Sequence, residues 1–191
     1  KPRQAVRNFA LTLALLAALT TPSGAALAES YPDRPIRVIN AFAAGSASDI
    51  VTRLILEKAG PILGRNVSFV HEYMAGAGGN SGTAFLLKQD PDGYKIGATA
   101  IGPLSINKTL FKNLAYDPET DIEPITPSAT LSNVVVVSNK SQIKSLKELI
   151  AFATANPDKL TYSSVGPGTT QHMTGVLFEQ LTGAKMRHLP Y

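Results

Sequence analysis

The sequence predicts an α/β chain built on mostly parallel sheet, and three observations predict it. Short apolar runs alternate with helix-periodic segments in the order β-α-β-α-β, the pattern of strands joined by helical crossovers. The same pattern restarts after a polar, proline-containing stretch, so a boundary is expected near Ile125 to Leu131. Three loops made almost wholly of Gly, Ala, Ser and Thr each leave a predicted strand and feed a predicted helix: Phe42–Asp49, Ala75–Gly82 and Gly166–His172.

The chain opens on a basic stretch (Lys1, Arg3, Arg7), followed by the uninterrupted apolar run Phe9–Thr20 and by Ala26-Leu27-Ala28 ahead of Glu29. That order predicts a signal peptide over residues 1–28, cleaved after Ala28, whose apolar core is too short to span a membrane. Export is therefore expected, and with no Cys near the cleavage point a lipid anchor is not.

Removing that peptide changes the charge argument. The chain carries 18 Lys+Arg against 14 Asp+Glu, but three of the basic and none of the acidic residues lie in 1–28. The remainder is almost balanced, so the basic footprint of a nucleic-acid binder is missing. A chain with no Cys can form neither disulfides nor thiolate or Cys-zinc sites.

Pro35–Phe42 turns from loose alternation to a continuous apolar run, as a buried strand does. Asp49–Leu63 places Ile50, Val51, Leu54, Ile55, Ala59, Ile62 and Leu63 at helical spacing, suited to a helix laid on a sheet. Asn66–Tyr73 is a second strand, and a short helix through Leu86 and Leu87 follows the Ala75–Gly82 loop. Asp90-Pro91-Asp92-Gly93 marks a turn. A third strand is expected over Tyr94–Ala100 and a helical stretch around Ser105–Phe111. Asn133–Ser138, with four consecutive valines, reads as the clearest buried strand of the chain. Ser145 and Glu148 form a capping box for a helix to about Asn156. Leu160–Ser164 is a strand, the Gly166–His172 loop leads into a helix to Leu181, and Met186–Leu189 is a last strand. The sequence stops at Tyr191 with that strand just formed, and it reads as a fragment.

Strand-to-helix loops of this kind gather where open α/β sheets bind ligands. A helix start leaves amides unpaired and carries partial positive charge, and small side chains let an anion reach them. A carboxylate or phosphate is the ligand this chemistry suits, although any one such loop is also explained by ordinary capping. Sharper motifs fail. Gly76 and Gly78 begin a dinucleotide fingerprint, but its third glycine position is Ser81, and neither a phosphate-loop nor a nucleophile-elbow pattern is present. His71 and His188, in or near strands, suit packing or surface roles. His172 follows a candidate loop and would donate to an anion. Asp49 either caps its helix or selects a ligand amine.

The same residues carry a family resemblance. Tyr31-Pro-Asp-Arg-Pro-Ile-Arg-Val, Phe42…Gly45…Asp49-Ile50, Gly76-Ala-Gly-Gly-Asn80…Gly82 and Asp90-Pro-Asp-Gly-Tyr94 are followed in order by Tyr116-Asp117-Pro118…Asp121 and Ser145…Glu148-Leu149. Leu160-Thr-Tyr-Ser-Ser164, Gly168-Thr169…His172 and His188-Leu-Pro-Tyr191 complete the series. Together they resemble the Bug-type (TctC-like) solute-binding receptors of tripartite tricarboxylate transporters over essentially all of residues 31–191.

The resemblance implies a periplasmic, two-lobed receptor of the type II binding-protein kind, each lobe a mostly parallel sheet flanked by helices. Residues 29–128 would belong to the first lobe and 129–191 to an incomplete second lobe. The ligand implied is a small mono-, di- or tricarboxylate, passed to the membrane permease subunits by a monomeric receptor that needs no cofactor, no metal and no catalysis. Carried over by position, Gly45, Ser46, Ser48 and Asp49 would line the first loop. Ala77, Gly78 and Asn80 would line the second, and Gly168, Thr169, Thr170 and His172 the facing lobe. Where the family commonly has Pro-Pro-Gly-Gly, this chain has Ala43-Ala44-Gly45-Ser46, which loosens the loop and adds a hydroxyl donor. The family also continues beyond the H-[VL]-P-Y motif, so the fragment is expected not to bind alone. Two other readings stay open: a periplasmic α/β enzyme fragment using Asp49 or His172 as acid or base on an anionic substrate, and a ligand-sensing subunit for a membrane sensor.

Overall fold

A computed structural model describes residues 31–64 and 67–191, so the predicted signal peptide over residues 1–28 lies outside the described residues. The chain divides into two units at Asp33–Arg34, and every element below belongs to the second.

Strand β1 (Ile36–Asn40) is the centre of a parallel three-stranded sheet, between β2 (Phe69–Tyr73) and β3 (Lys95–Ala98). Its register sets Val38 beside His71 and Ile96, and Asn40 beside Tyr73 and Ala98. Successive strand residues face opposite sides of a sheet, yet Val38 is 0% and Ile39 1% exposed. Both faces of β1 are therefore covered, which is why it reads as a continuous apolar run rather than an alternation.

Helix α1 (Ala47–Leu63) joins β1 to β2, and α2 (Asn80–Leu87) joins β2 to β3 after a single 3₁₀ turn at Ala77–Gly79. The helical stretch expected around Ser105 begins earlier, as a π-turn at Gly102–Ile106, and continues as the short α3 (Asn107–Leu110). Helix α4 (Leu146–Ala155) starts at Ser145, whose side chain accepts the Glu148 amide, while the Glu148 carboxylate takes the Lys144 amide at 2.6 Å. The predicted capping box is thus present, with the returning bond shifted by one residue. A second parallel unit closes the chain: β4 (Leu160–Ser164), α5 (Thr170–Thr182) and β5 (Met186–Pro190).

Two expectations fail. Asn133–Ser138 is not a buried strand; among the described residues it pairs with no strand, and Val134, Val135, Val136 and Val137 are 79%, 64%, 81% and 48% exposed. Strand β4 has β5 on one side only. An open groove of about 750 Å³, lined by Val134–Val137, Leu160, Tyr162 and Phe178 among others, lies between β4 and the valine run. Strand propensity expresses fit to a neighbouring strand, and among the described residues no strand pairs with this run. The helix predicted over Asp49–Leu63 forms, but its apolar stripe is not laid down: Ile50, Leu54 and Ile62 are 51%, 58% and 86% exposed. It meets the sheet at Gly60, where the missing side chain admits the Phe69 ring, and through Asp49 and Arg53, which bond Tyr73.

Candidate functional site

The three small-residue loops all lie at the carboxyl ends of strands and the starts of helices, β1 to α1, β2 to α2 and β4 to α5. The second loop lies at the centre of the cluster. A β-carbon on Gly79 would meet the Phe42 ring and Pro103, each at 2.8 Å, so the first loop touches the second through Phe42. A β-carbon on Gly78 would run into the carbonyl of Pro167, and one on Gly166 would lie 2.8 Å from the Gly78 amide nitrogen. The loop before α5 therefore lies directly against the loop before α2. Gly78 also has φ +63°, a left-handed conformation that side chains disfavour.

In the first loop, Ser46 is the N-cap of α1 and its hydroxyl accepts the Asp49 amide, lying 3.2 Å from the Ser48 hydroxyl. The amides of Ala47 and Ser48 meet no acceptor among the described residues, so this helix start does present free donors. Asp49 does not point outward with them. It is 3% exposed, and its carboxylate takes the Gly45 amide at 2.8 Å, the Arg53 Nε–H at 2.9 Å and the Tyr73 hydroxyl at 3.0 Å. Tyr73 is also bonded to Arg53. Burial works against the Asp49 charge, but the Gly45 amide, Tyr73 and Arg53 outweigh it and hold the pKa below the ordinary carboxylate range. His71 Nδ1 stands 3.8 Å away, and burial, followed by the Arg53 charge, keeps its imidazole below the usual histidine range. Asp49 is an internal strut of the first loop, and the helix cap expected of it is instead Ser46.

In the second loop Ala77 is exposed, while Gly78 and Asn80 are buried. Asn80 Oδ1 is already engaged: Asn107 Nδ2 donates to it at 2.6 Å, and the Tyr116 hydroxyl lies 3.2 Å from it and 2.9 Å from Pro103 O. Asn107 is 0% exposed and stands beside Gly168, while Gly102 approaches the Gly168 carbonyl so closely that a β-carbon would lie 2.8 Å from it. The residues around Gly102–Asn107 thus form the floor on which the third loop rests. Nothing in the sequence pattern singled out Asn107 or Tyr116 for this.

In the third loop Thr169 is the N-cap of α5; it accepts the His172 amide and donates to Gly166 O at 2.7 Å. Thr170 is exposed, and the Thr170 and Gln171 amides meet no acceptor among the described residues. His172 Nδ1 accepts the Gly168 amide at 3.2 Å, so the neutral ring carries its proton on Nε2, which remains the atom able to donate. Its ring stacks on His188 at 4.3 Å, and His188 in turn stacks on Tyr162 at 5.0 Å. His188 is thus part of this cluster rather than a packing residue apart from it. Ser164, the last residue of the Leu160–Ser164 motif, links His188 to the loop. The large groove beside Val134–Val137 adjoins this cluster, sharing Tyr162 and Gln171 with it.

Comparison with known proteins decides the family. Residues 51–191 match the tripartite tricarboxylate transporter family receptor profile (TctC). This chain belongs to that family. A Cupriavidus necator relative described as the UPF0065 protein in the gbd 5' region is 37% identical over 166 residues, covering 87% of this chain and 50% of the relative. Among solved structures, a periplasmic transporter is 34% identical with a TM-score of 0.78, and the periplasmic binding protein BugD is 32% identical with a TM-score of 0.72. R. palustris Rpa4515, solved with adipate, is 26% identical with a TM-score of 0.73. Each of the three covers 84% of this chain, and this chain covers 53% of each. The chain therefore spans about half the length of the relatives it matches. The fold is that of the type II-like periplasmic binding proteins, with parallel sheets flanked by helices, as the sequence predicts.

Proposed function

We propose that this chain carries the ligand-gripping loops of a periplasmic receptor, exported by a signal peptide over residues 1–28, which captures a small carboxylate and delivers it to the permease subunits of a tripartite tricarboxylate-type uptake system. The observation that carries this reading is the junction of two helix-start loops at Gly78 and Pro167, beside a 13-residue helix whose Thr170 and Gln171 amides are unpaired. Helix-start amides of this kind hold carboxylates without side-chain charge. The adipate-bound relative supports that ligand class. Ser46 and Ser48 would donate from the first loop, Ala77 and Gly78 from the second, and Thr170 and His172 Nε2 from the third. Gly45, Gly168 and Thr169, whose donors are taken by Asp49, His172 and Gly166, would line the site without donating. Asp49 and Asn80 would act one step back, shaping the loops that do the holding.

A receptor is favoured over an acid–base enzyme because Asp49 is held ionised by three donors, far from the poise a proton-transfer group needs near neutral pH. The test is a thermal-shift series with acetate, adipate, succinate and citrate on the exported protein. A ligand at 100 times its Kd stabilises the folded form by about 2.7 kcal/mol, readable as a rise of several degrees in Tm. The ligand should be recovered unchanged. If no carboxylate moves the transition, the reading fails; turnover of the bound acid would instead make the protein an enzyme.

A further inference from the structure

We infer that His188 is a positioning residue for the Gly166–Thr169 loop, acting through Ser164 and the ring of His172, and that the loop keeps its shape only while this histidine pair is uncharged. The loop is held at two points, and one imidazole stands behind each. At the first, the Ser164 hydroxyl accepts the Gly166 amide at 3.1 Å, and the same oxygen lies 2.7 Å from His188 Nε2. At the second, the Gly168 amide donates directly to His172 Nδ1. The rings are stacked at 4.3 Å with 22° between their planes, so the two attachments share one wall.

Protonating His172 places an N–H where the Gly168 amide now finds a lone pair, and the bond is replaced by a donor–donor contact. Protonating both rings sets like charges face to face across the stack. The parallel register fixes the pair, since β5 sets His188 directly beside Tyr162 of β4, while α5 brings His172 over it. The titratable neighbours do not offset a charge there. Tyr162 packs on the outer face of His188 and is held in its neutral form by burial, with Glu179 adding to the effect. The Glu179 carboxylate on α5 is occupied by the Met186 amide. Arg187 precedes His188 in β5, so its side chain leaves from the opposite face of the strand.

Burial first, then the His172 ring, hold the His188 imidazole below the ordinary histidine range. A histidine depressed in the folded state contributes stability that is present above the unfolded value of about 6.5 and is lost as pH falls below it. The loop and the pair should therefore loosen together on mild acidification.

The extension to ligand capture rests on the carboxylate-receptor reading, so the test is divided. In the ligand-free protein, exchange protection of the Gly168 amide is measured by NMR from pH 7.5 to 5.0, alongside the ring C–H resonances of both histidines. Protection, corrected for intrinsic exchange, should fall about tenfold or more, in step with the imidazole titration; constant protection through that titration overturns the inference. His188→Phe keeps a stacked ring but loses the bond to Ser164 and the second charge. It should lower Gly168 protection at pH 7.5 and also move the pH midpoint at which that protection is lost. A residue that merely packs would leave that midpoint unmoved, and such a result overturns the positioning role. If His188→Phe does not fold, the wild-type series still decides. In the second part, adipate affinity, corrected for its own ionisation, is compared at pH 8.0 and at the pH where Gly168 protection is lost. A loss of threefold or more there is expected, and pH-independent binding overturns the inference. If adipate binds at neither pH while Gly168 responds as expected, it is the adipate-receptor reading that fails.

Discussion

Replacing Gly78 by Ala tests whether the second and third loops are truly locked together. Two separate costs follow from the geometry. Gly78 has φ +63°, where a β-carbon costs about 1–2 kcal/mol from local sterics alone. Its β-carbon would also meet the Pro167 carbonyl, which is backbone and can yield only by moving the whole loop. Forcing a methyl group into such a contact adds about 1–3 kcal/mol. Gly183 supplies the internal reference, because it has φ +72° at the end of α5 and a methyl group there would find nothing within 4 Å. Gly183→Ala should cost the local part alone, about 1–2 kcal/mol, and Gly78→Ala about 2–5 kcal/mol. Urea unfolding of both variants beside the parent protein measures the difference, with unchanged m-values confirming a like-for-like comparison. Equal midpoint shifts for the two variants would refute the reasoning, since the loops would then not be in contact at Gly78.

Further outcomes follow from the first loop and from the exposed valines. Asp49→Asn should destabilise the protein by about 1–3 kcal/mol at pH 7, because charge-assisted bonds from Gly45, Arg53 and Tyr73 are weakened. Since the Asp49 pKa is depressed by the fold, its contribution is present above the unfolded value of about 3.9 and lost as pH falls through the folded value. The gap between parent and variant should therefore narrow towards pH 3, and urea midpoints showing the same gap at pH 7 and pH 3 would contradict the assignment. Val136→Ser, at a position 81% exposed, should change stability by no more than about 0.5 kcal/mol. Val38→Ala in the covered centre of β1 should cost about 2 kcal/mol or more in the same thermal or urea measurement.

The local features were legible from residue order. The helix start at Ser145 follows from a hydroxyl cap that bonds the amide three residues on, and strand β1 from a run of apolar residues. The caps of α1 and α5, by contrast, are Ser46 and Thr169, which the sequence pattern did not single out as caps. The three small-residue loops could be placed because each lies between a strand signal and a helix signal close to it in the chain. These features depend on near neighbours, so sequence by itself determined them, along with the α/β class and the parallel pairing that helical crossovers enforce.

Tertiary structure decided which groups in those loops face outward. Asp49 and Asn80 carry polar side chains in the right places, yet Tyr73, Asn107 and Tyr116 from other segments, together with Arg53 one helical turn on, turn them inward. His172 and His188 are separated in the chain by most of a helix, and only the β4–α5–β5 crossover sets their rings face to face. The valine run shows the same limit from the other side. Four strong strand formers in a row state a preference, but a strand exists only when another backbone lies alongside to take its hydrogen bonds, and that depends on where the rest of the chain goes.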